Sequence, residues 1–447
     1  MQQVSSGHLA RTLAWLLLAM SCLMSLFLIH SPGTSDVSGY WLRWMQHIDG
    51  LGPVAAYVTA ETDYPPGSFL ILYLTHLLGV AAGCEMLIAL KTTIFVFQLL
   101  STGLVLVMSG SPMLAAAFNA SVMINGIGLG YLDLFFVPPL LAAFWALRYG
   151  RPVLGTLLFG ISCLTKWQPL LVTPYFAIHL FGITSLRPRD WLALLHTPLF
   201  RRIAALTTAV ILLLFAGFGL EPLIALRRAS HNGFFSAYAM NLAWIEQFVY
   251  RVLIEGSTSL ADPATYMLHV DLWVTRLHKG LFYLTYAATV LWAVRSAGLE
   301  DGPSDHRLGT LILFAITGFL SYVMLSTGVH ENHLFLPMVL GFLLATLTPS
   351  PASWTIAALM AAMANANLLL FYGLTGEPAQ SRVVGVDLSI PLSALFVAIW
   401  LTFLLWAARL SSEVRPAAPR MPERSLPSSL LLSRTHSTLR PVRRAAR

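Results

Sequence analysis

Long apolar runs separated by short polar stretches dominate the pattern of this chain. None of the runs alternates apolar and polar residues with a period of two, which excludes the strands of a membrane barrel. Thirteen apolar segments lie near residues 9–30, 67–82, 86–108, 112–129, 133–147, 152–165, 169–183, 203–220, 266–294, 308–328, 334–348, 352–372 and 389–408. Helices satisfy their own backbone in lipid, so the pattern predicts an all-α, polytopic integral membrane protein.

Composition agrees with this class. The 447 residues are 57% hydrophobic and 11% charged, whereas a soluble domain carries about 25% charged residues. The net charge of +7 comes largely from arginines beside the apolar segments and in the C-terminal tail. This placement predicts membrane lipids as a partner and argues against nucleic acid. Cys22, Cys84 and Cys163 show neither metal-binding nor disulfide spacing.

The basic residues also constrain how the chain threads through a bilayer. Thirteen full crossings would leave several arginine-rich connections and the tail outside, against the positive-inside bias. Segment 67–82 begins at a Pro-Pro-Gly and is short, so we interpret it as a re-entrant or juxtamembrane helix after the first external loop. About 12 transmembrane helices then remain, with the first apolar segment retained as a span.

This threading divides the chain into four regions. Residues 1–220 form a membrane module whose first external loop, 31–85, carries the candidate catalytic residues. Residues 221–265 form an external loop that is longer than a connection needs, and its run 234–254 is amphipathic enough for a helix at the interface. Residues 266–410 form a second, variable membrane module, and 411–447 a disordered, basic cytoplasmic tail.

The same threading gathers polar groups on the external face. Charged side chains beside a bilayer are costly, which makes them functional candidates. Those collected here are Asp36, Arg43, Asp49, Glu61, Asp63, Asp133, Lys166, His330 and Glu331. Because none of them was used to choose the threading, their convergence predicts a site.

At these residues the chain resembles the GT-C superfamily of lipid-phosphate-sugar-dependent glycosyltransferases. The resemblance is to the dolichyl- or polyprenyl-phosphate-glucose (or mannose) dependent enzymes and their bacterial relatives. It covers the stretch Ser35–Trp44 with its early Asp36, the run Asp63-Tyr64-Pro65-Pro66, the turn Gly130–Asp133, the element Lys166–Pro169 and the run Val329-His330-Glu331. Two departures stand out, because Tyr131 replaces an expected glutamine and Val37 follows Asp36 where many members have a second polar or acidic residue.

The resemblance implies a role for each matched residue. Asp36 is the expected general base. The expected ligands of the donor phosphate are Lys166, His330 and Arg43. The expected contacts to the sugar or acceptor are Asp63, Tyr64, Asp133, Glu331 and Gln168, with no cofactor and no metal.

Each role has a structural alternative. Asp36 could cap a helix at 37–48, and Asp133 could cap the helix that follows it. Lys166 could be a snorkelling lysine, His330 a structural histidine and Asp63 a turn residue.

The expected activity is transfer of a hexose from a polyprenyl-phosphate sugar to a lipid-linked or surface glycan acceptor. It would proceed with inversion, at the external face of a bacterial inner membrane, or in the endoplasmic reticulum of a eukaryote. A transporter or flippase of lipid-linked sugars is the alternative, although it would place charges near the bilayer midplane and show repeated halves. A polymerase or ligase of lipid-linked glycans remains a third possibility.

Overall fold

Seventeen α-helices make up most of the described part of the chain. This computed structural model describes residues 2–231, 233–256, 267–269, 271–297, 304–376, 382–383 and 386–412. The helices are α1 (Gln2–Phe27), α2 (Leu42–Thr59), α3 (Pro66–Ala82), α4 (Met86–Ser109), α5 (Pro112–Met123), α6 (Val137–Arg148), α7 (Pro152–Thr165), α8 (Thr173–Phe181), α9 (Pro188–Leu194), α10 (Pro198–Phe218), α11 (Glu221–Ser230), α12 (Leu242–Glu255), α13 (Leu272–Ala297), α14 (Ser304–Leu325), α15 (Phe335–Leu347), α16 (Pro351–Tyr372) and α17 (Ser389–Ser412).

Shorter elements connect these helices. Among the residues given above, two π-helical turns cover Val37–Trp41 and Ile124–Gly128, and three 3₁₀ turns cover Leu132–Phe136, Gln168–Val172 and Glu331–Leu334. The same residues include four two-residue strands, β1 (Ser236–Ala237), β2 (Val329–His330), β3 (Arg382–Val383) and β4 (Val386–Asp387). β1 pairs in parallel with β2, and β3 pairs antiparallel with β4. The prediction of an all-α protein is therefore confirmed.

Every predicted apolar segment coincides with a helix over most of its length. Within the described part of the chain, six helical stretches are long and apolar enough to cross a membrane, namely His8–Phe27, Met86–Ser109, Pro198–Phe218, Asp305–Leu325, Pro351–Tyr372 and Ser389–Ser412. Shorter apolar stretches are Pro66–Ala82, Pro112–Gly128, Pro152–Thr165 and Glu331–Leu347. These helices indicate a membrane-embedded protein.

Local sequence explains where several helices begin and end. Ser111 caps α5 by accepting a hydrogen bond from the backbone of Leu114, and Pro112 occupies the first turn, where no N–H is needed. Gly110 ends α4 with a φ of 65°, a left-handed conformation that glycine adopts without strain. The short connection between α4 and α5 therefore has a local cause.

Helix α14 lies at the centre of the molecule and α10 at its periphery. In the most apolar window of each, 89% of α14 but only 6% of α10 is buried inside the protein. Leu212 and Leu213 of α10 are 61% and 73% exposed, which suits a surface that faces lipid.

The predicted helix over 234–254 is wrong in its first third. Residues 242–255 form α12, but Ser236–Ala237 is the strand that pairs with β2. Ala237, Ala239 and Met240 are buried in the core. The apolar residues before Asn241 therefore pack inside the protein and do not form one face of an interfacial helix. Residues 257–265 of this loop, and the predicted tail beyond Ser412, lie outside the described residues.

Backbone contacts tie three distant loops together. The N–H of Thr34 donates to the carbonyl of Leu129 at 2.9 Å, and that of Gly33 donates to Thr375 at 3.1 Å. A Cβ on Gly376 would lie 2.1 Å from the Gly33 carbonyl carbon, so these two segments of the chain are in direct contact through their backbone atoms. The loop before Asp36 is thus held in place by hydrogen bonds to Leu129 and Thr375, which are distant from it in the sequence.

The contact between α3 and α7 generates a stability prediction. A Cβ added at Gly67 would lie 2.3 Å from the carbonyl oxygen of Leu164, and Ser68 beside it donates to the carbonyl of Thr165. We expect Gly67→Ala to lower the free energy of unfolding by about 1–3 kcal/mol, because one helix must shift. Thermal unfolding of the detergent-solubilised protein measures this change.

Gly160→Ala on α7 is the matched control. A Cβ there meets nothing within 4 Å, and alanine favours a helix more than glycine does. An unfolding temperature of Gly67→Ala equal to that of Gly160→Ala would contradict the close approach.

Candidate functional site

Asp36 lies at the start of the π-helical turn Val37–Trp41 with a partly buried carboxylate. Its backbone is helical, with φ −63° and ψ −34°, and its side chain makes no capping hydrogen bond. No other hydrogen bond to this carboxylate exists among the described residues. The capping alternative is therefore not what the structure shows, although the predicted helix after Asp36 is present as this turn followed by α2.

Lys166 and Asp133 form a buried ion pair. The Lys166 Nζ lies 3.0 Å from Asp133 Oδ1, with side-chain exposures of 11% and 0%. Asp133 Oδ2 accepts hydrogen bonds from Asn332 at 2.9 Å and from Asn125 at 3.2 Å. Both oxygens therefore have protein partners and none of the side chain is exposed, so Asp133 orients the Lys166 ammonium in this structure.

Lys166 is held as a cation by its surroundings. Burial alone would lower the pKa of Lys166, but Asp133 and Tyr64 raise it above its ordinary value. The Lys166 ammonium also donates a hydrogen bond to the Tyr64 hydroxyl. An ammonium has three N–H donors, so one direction remains after these two contacts. The residue follows α7 directly, where the chain turns into extended backbone.

Tyr64 links Lys166 to an aromatic cluster. Its ring packs edge-on against Trp41 and Trp44, with centroids 5.0 Å and 5.6 Å away. Both tryptophans are almost fully buried, so their faces stabilise the first loop from inside. Trp167 donates its indole N–H to the carbonyl of Asp63 at 2.8 Å, which fixes the Asp-Tyr-Pro-Pro run against the Lys166 turn.

His330 and Glu331 are placed by the β1–β2 pairing. Tyr131 donates a hydrogen bond to Glu331 Oε1, while His330 Nδ1 lies 3.9 Å from Glu331 Oε2. That separation exceeds a hydrogen bond, so Tyr131 and not His330 is the close partner of this carboxyl. Burial raises the pKa of Glu331 to about 7. Burial also lowers the pKa of His330, which favours a neutral imidazole at pH 7.

Charges from all these elements act on Asp36. Burial raises the pKa of its carboxyl to about 6, and the charges of Glu331 and Asp63 act in the same direction, while His330 and Lys166 oppose them. The structure therefore brings together the predicted residues Asp36, Asp63, Tyr64, Asp133, Lys166, His330 and Glu331. They come from the first loop, the 131–136 turn, the end of α7 and the turn before α15.

Gln168 and Arg43 form no hydrogen bond or ion pair with the residues of this cluster. Gln168 is 7% exposed, and neither its Oε1 nor its Nε2 has a hydrogen-bond partner. An unsatisfied buried amide is costly, so this side chain suits a polar ligand. Arg43 is exposed on α2 and takes no part in the charge interactions of the described site residues.

Several residues of the site were missed by the sequence analysis. Asn125 and Asn332 hold Asp133, and Lys91 donates to Ser31 Oγ at 3.1 Å and to the carbonyls of the turn at 127–128. A lysine inside an apolar segment was a usable signal for Lys91. The polar run His-Glu-Asn-His at 330–333 was a signal for Asn332. Asn125 is only a single polar residue in an apolar stretch, which is too weak a signal to identify it as a site residue.

The cluster around Asp36 contains the groups that proton transfer would need. The Asp36 carboxylate, which accepts no hydrogen bond from the described residues, lies within the electrostatic influence of Lys166 and His330, which suits removal of a proton near a developing negative charge. Among the described residues, no group of three or more His, Cys, Asp and Glu side chains is placed to hold a metal ion. No protein-family model matches the chain, and no curated protein matches it.

The buried ion pair generates a prediction about stability. We expect Asp133→Asn to lower the free energy of unfolding by about 3–5 kcal/mol, because Lys166 is left buried without its counter-charge. The double variant Asp133→Asn/Lys166→Met removes both charges and should recover much of that loss. Chemical or thermal unfolding of the two variants and of Lys166→Met completes a double-mutant cycle. Additive losses across the cycle would show that the two side chains do not interact.

Proposed function

We propose that this protein is a GT-C-type hexosyltransferase. It moves one hexose, a glucosyl or mannosyl unit, from a polyprenyl-phosphate sugar to a lipid-linked or surface glycan acceptor. The reaction is inverting and independent of metal and cofactor. The geometry of Asp36 carries the proposal, since this carboxylate has no hydrogen-bond partner yet lies within the influence of Lys166 and His330.

The proposed reaction uses these groups in order. An acceptor hydroxyl attacks the anomeric carbon while Asp36 takes its proton, and the bond from that carbon to the phosphate oxygen breaks on the opposite face. Direct displacement inverts the anomeric centre. Lys166 receives the growing charge of the leaving phosphate as a fixed cation. His330 donates a hydrogen bond to the same phosphate, and the amide of Gln168 binds hydroxyls of the sugar or acceptor.

The proposed topology follows the same reasoning. About 12 transmembrane helices place the Asp36 cluster on the external side, and α3 lies as a re-entrant or juxtamembrane helix below it. Activated nucleotide sugars are not available on that side, so the sugar arrives on a lipid phosphate. The protein then resides in a bacterial inner membrane, or in the endoplasmic reticulum of a eukaryote.

Removal of the proposed base tests the function. Purified protein is incubated with a panel of short-chain polyprenyl-phosphate hexoses, and hexose transfer or donor hydrolysis is measured. Asp36→Asn should lower kcat by about 10²–10⁴-fold, because the amide keeps the shape but cannot take a proton. Binding of the polyprenyl phosphate should be unchanged.

Asp49→Asn provides the control for this experiment. Asp49 belongs to the same loop region but is exposed and pairs with His76 at 3.0 Å. Full activity of Asp36→Asn would refute the proposed base. A wild-type protein that transports lipid-linked sugar across vesicles without transferring hexose would refute the enzyme.

The pKa of Asp36 predicts a pH dependence. A base with a pKa of about 6 is ionised above that pH, so kcat/KM should fall about tenfold per pH unit below it. An unperturbed aspartate would keep activity down to about pH 4. Because Glu331 titrates nearby, with a pKa of about 7, the profile is also measured in Glu331→Gln, where one ionisation should remain. A flat profile down to pH 5, with the protein folded throughout, would contradict the assignment.

A further inference from the structure

His333 is a second histidine in the turn that carries His330 and Glu331. It is partly exposed and lies in the 3₁₀ turn Glu331–Leu334, with its ring centroid 5.5 Å from that of His330 and 5.6 Å from that of Tyr322. No motif in the sequence assigns a role to His333. Its position next to the site makes its protonation state important.

The contacts of His333 Nδ1 define the tautomer of the ring. The backbone N–H of His330 donates to this nitrogen at 3.4 Å, and the Tyr322 hydroxyl lies 3.1 Å from it. A backbone N–H can only donate, so Nδ1 carries no proton. Burial, with the charge of Lys166 acting in the same direction, lowers the pKa of His333, which keeps the ring neutral. The remaining ring proton must therefore be on Nε2.

The Nε2–H of His333 has no hydrogen-bond partner among the described residues. Asn332, which precedes His333 in the turn, donates to Asp133 Oδ2 at 2.9 Å, and Lys166 Nζ lies 3.0 Å from Asp133 Oδ1, so the turn that carries His333 lies beside Lys166. A neutral, oriented donor thus stands near an ammonium that has one unused donor direction. Such a pair suits an anion, whose oxygens accept from both groups without adding a second positive charge.

We propose that His333 binds the lipid-linked phosphate by donating its Nε2–H to a phosphate oxygen while Lys166 supplies the charge. This inference rests on the proposed function, and it adds a substrate-binding residue that also organises the turn. The ligand class is a phosphate ester on a lipid. The negative groups Asp36 and Asp63 disfavour a phosphate at their own positions, which leaves the side of Lys166 and His333 for it.

Two substitutions separate binding from a structural role. His333→Gln places an amide N–H near the position of Nε2, whereas His333→Asn places an amide oxygen near the position of Nδ1. The glutamine variant therefore keeps a donor for the phosphate, and the asparagine variant keeps an acceptor for the backbone of His330. If the residue were merely structural, asparagine would be the better replacement.

The test measures binding of a short-chain polyprenyl phosphate to the full chain in nanodiscs of zwitterionic lipid. The matching polyprenol, inorganic phosphate and phosphatidic acid serve as comparison probes. Polyprenyl phosphate should bind about ten- to hundredfold more weakly to His333→Asn, and within about threefold of wild type to His333→Gln. Polyprenol affinity should be the same in all three proteins, and the unfolding temperatures report any structural effect.

The outcomes separate this inference from the proposed function. Equal phosphate binding in both variants, or better binding in His333→Asn, overturns the inference while transfer activity can stand. Phosphate binding that depends on His333 in a protein that transfers no hexose supports the inference and removes the function. Equal competition by phosphatidic acid or inorganic phosphate supports a phosphate contact that does not depend on the polyprenyl chain. Failure of wild type to bind any phosphate probe overturns the inference.

Discussion

Lys166 and Asp133 form an ion pair 3.0 Å apart in the protein interior, where an unpaired charge is strongly destabilising. Transfer of a charge from water into a protein costs several kcal/mol, and only close pairing with further hydrogen bonds offsets that cost. Here the offset comes from Tyr64, Asn125 and Asn332. These partners belong to three separate segments, so the requirement to satisfy one pair fixes the positions of those segments relative to one another.

A second buried lysine performs a different task. Lys91 has no carboxylate partner among the described residues, and it instead binds carbonyl oxygens at 2.6 Å and 2.9 Å where the π-helical turn at 124–128 ends. A cation at the negative end of a helix is stabilised by the aligned carbonyl dipoles. Because Ser31 shares these contacts, Lys91 joins the loop before Asp36 to the turn before Asp133. The two acidic residues are thereby held in a fixed relation without touching each other.

Most of the fold could be predicted from apolar run length, because a helix is the simple way to bury a backbone in lipid. Residues 234–241 show where this reasoning fails, since their apolar side chains enter the core through a strand pairing with residues 329–330 that no local pattern reports. The threading, which stays a prediction, grouped Asp36, Lys166 and Glu331 in one region of the protein. The individual partners of the charged residues were not predictable, because Asp133 is buried against amides from positions 8 and 199 residues away.

The same limit explains the tyrosine at position 131. Tyr131 stands where the resembled motif has a glutamine, and its hydroxyl donates to Glu331 across 200 residues of sequence. A hydroxyl on a long, rigid ring reaches a partner that a glutamine amide would approach from a different position. Local sequence reasoning sees the substitution but has no access to the residue that receives the hydrogen bond.

The bare-backbone contact between Gly33 and Gly376 has a consequence for biosynthesis. A ribosome delivers position 33 early and position 376 more than three hundred residues later, so the loop that carries the carboxylate must wait for nearly the whole polypeptide before it can settle. Incomplete chains already inserted in the bilayer would hold their acidic and basic side chains without the final constraint on this loop. The order in which the segments are synthesised and assembled therefore determines when the loop that carries Asp36 first reaches its final position.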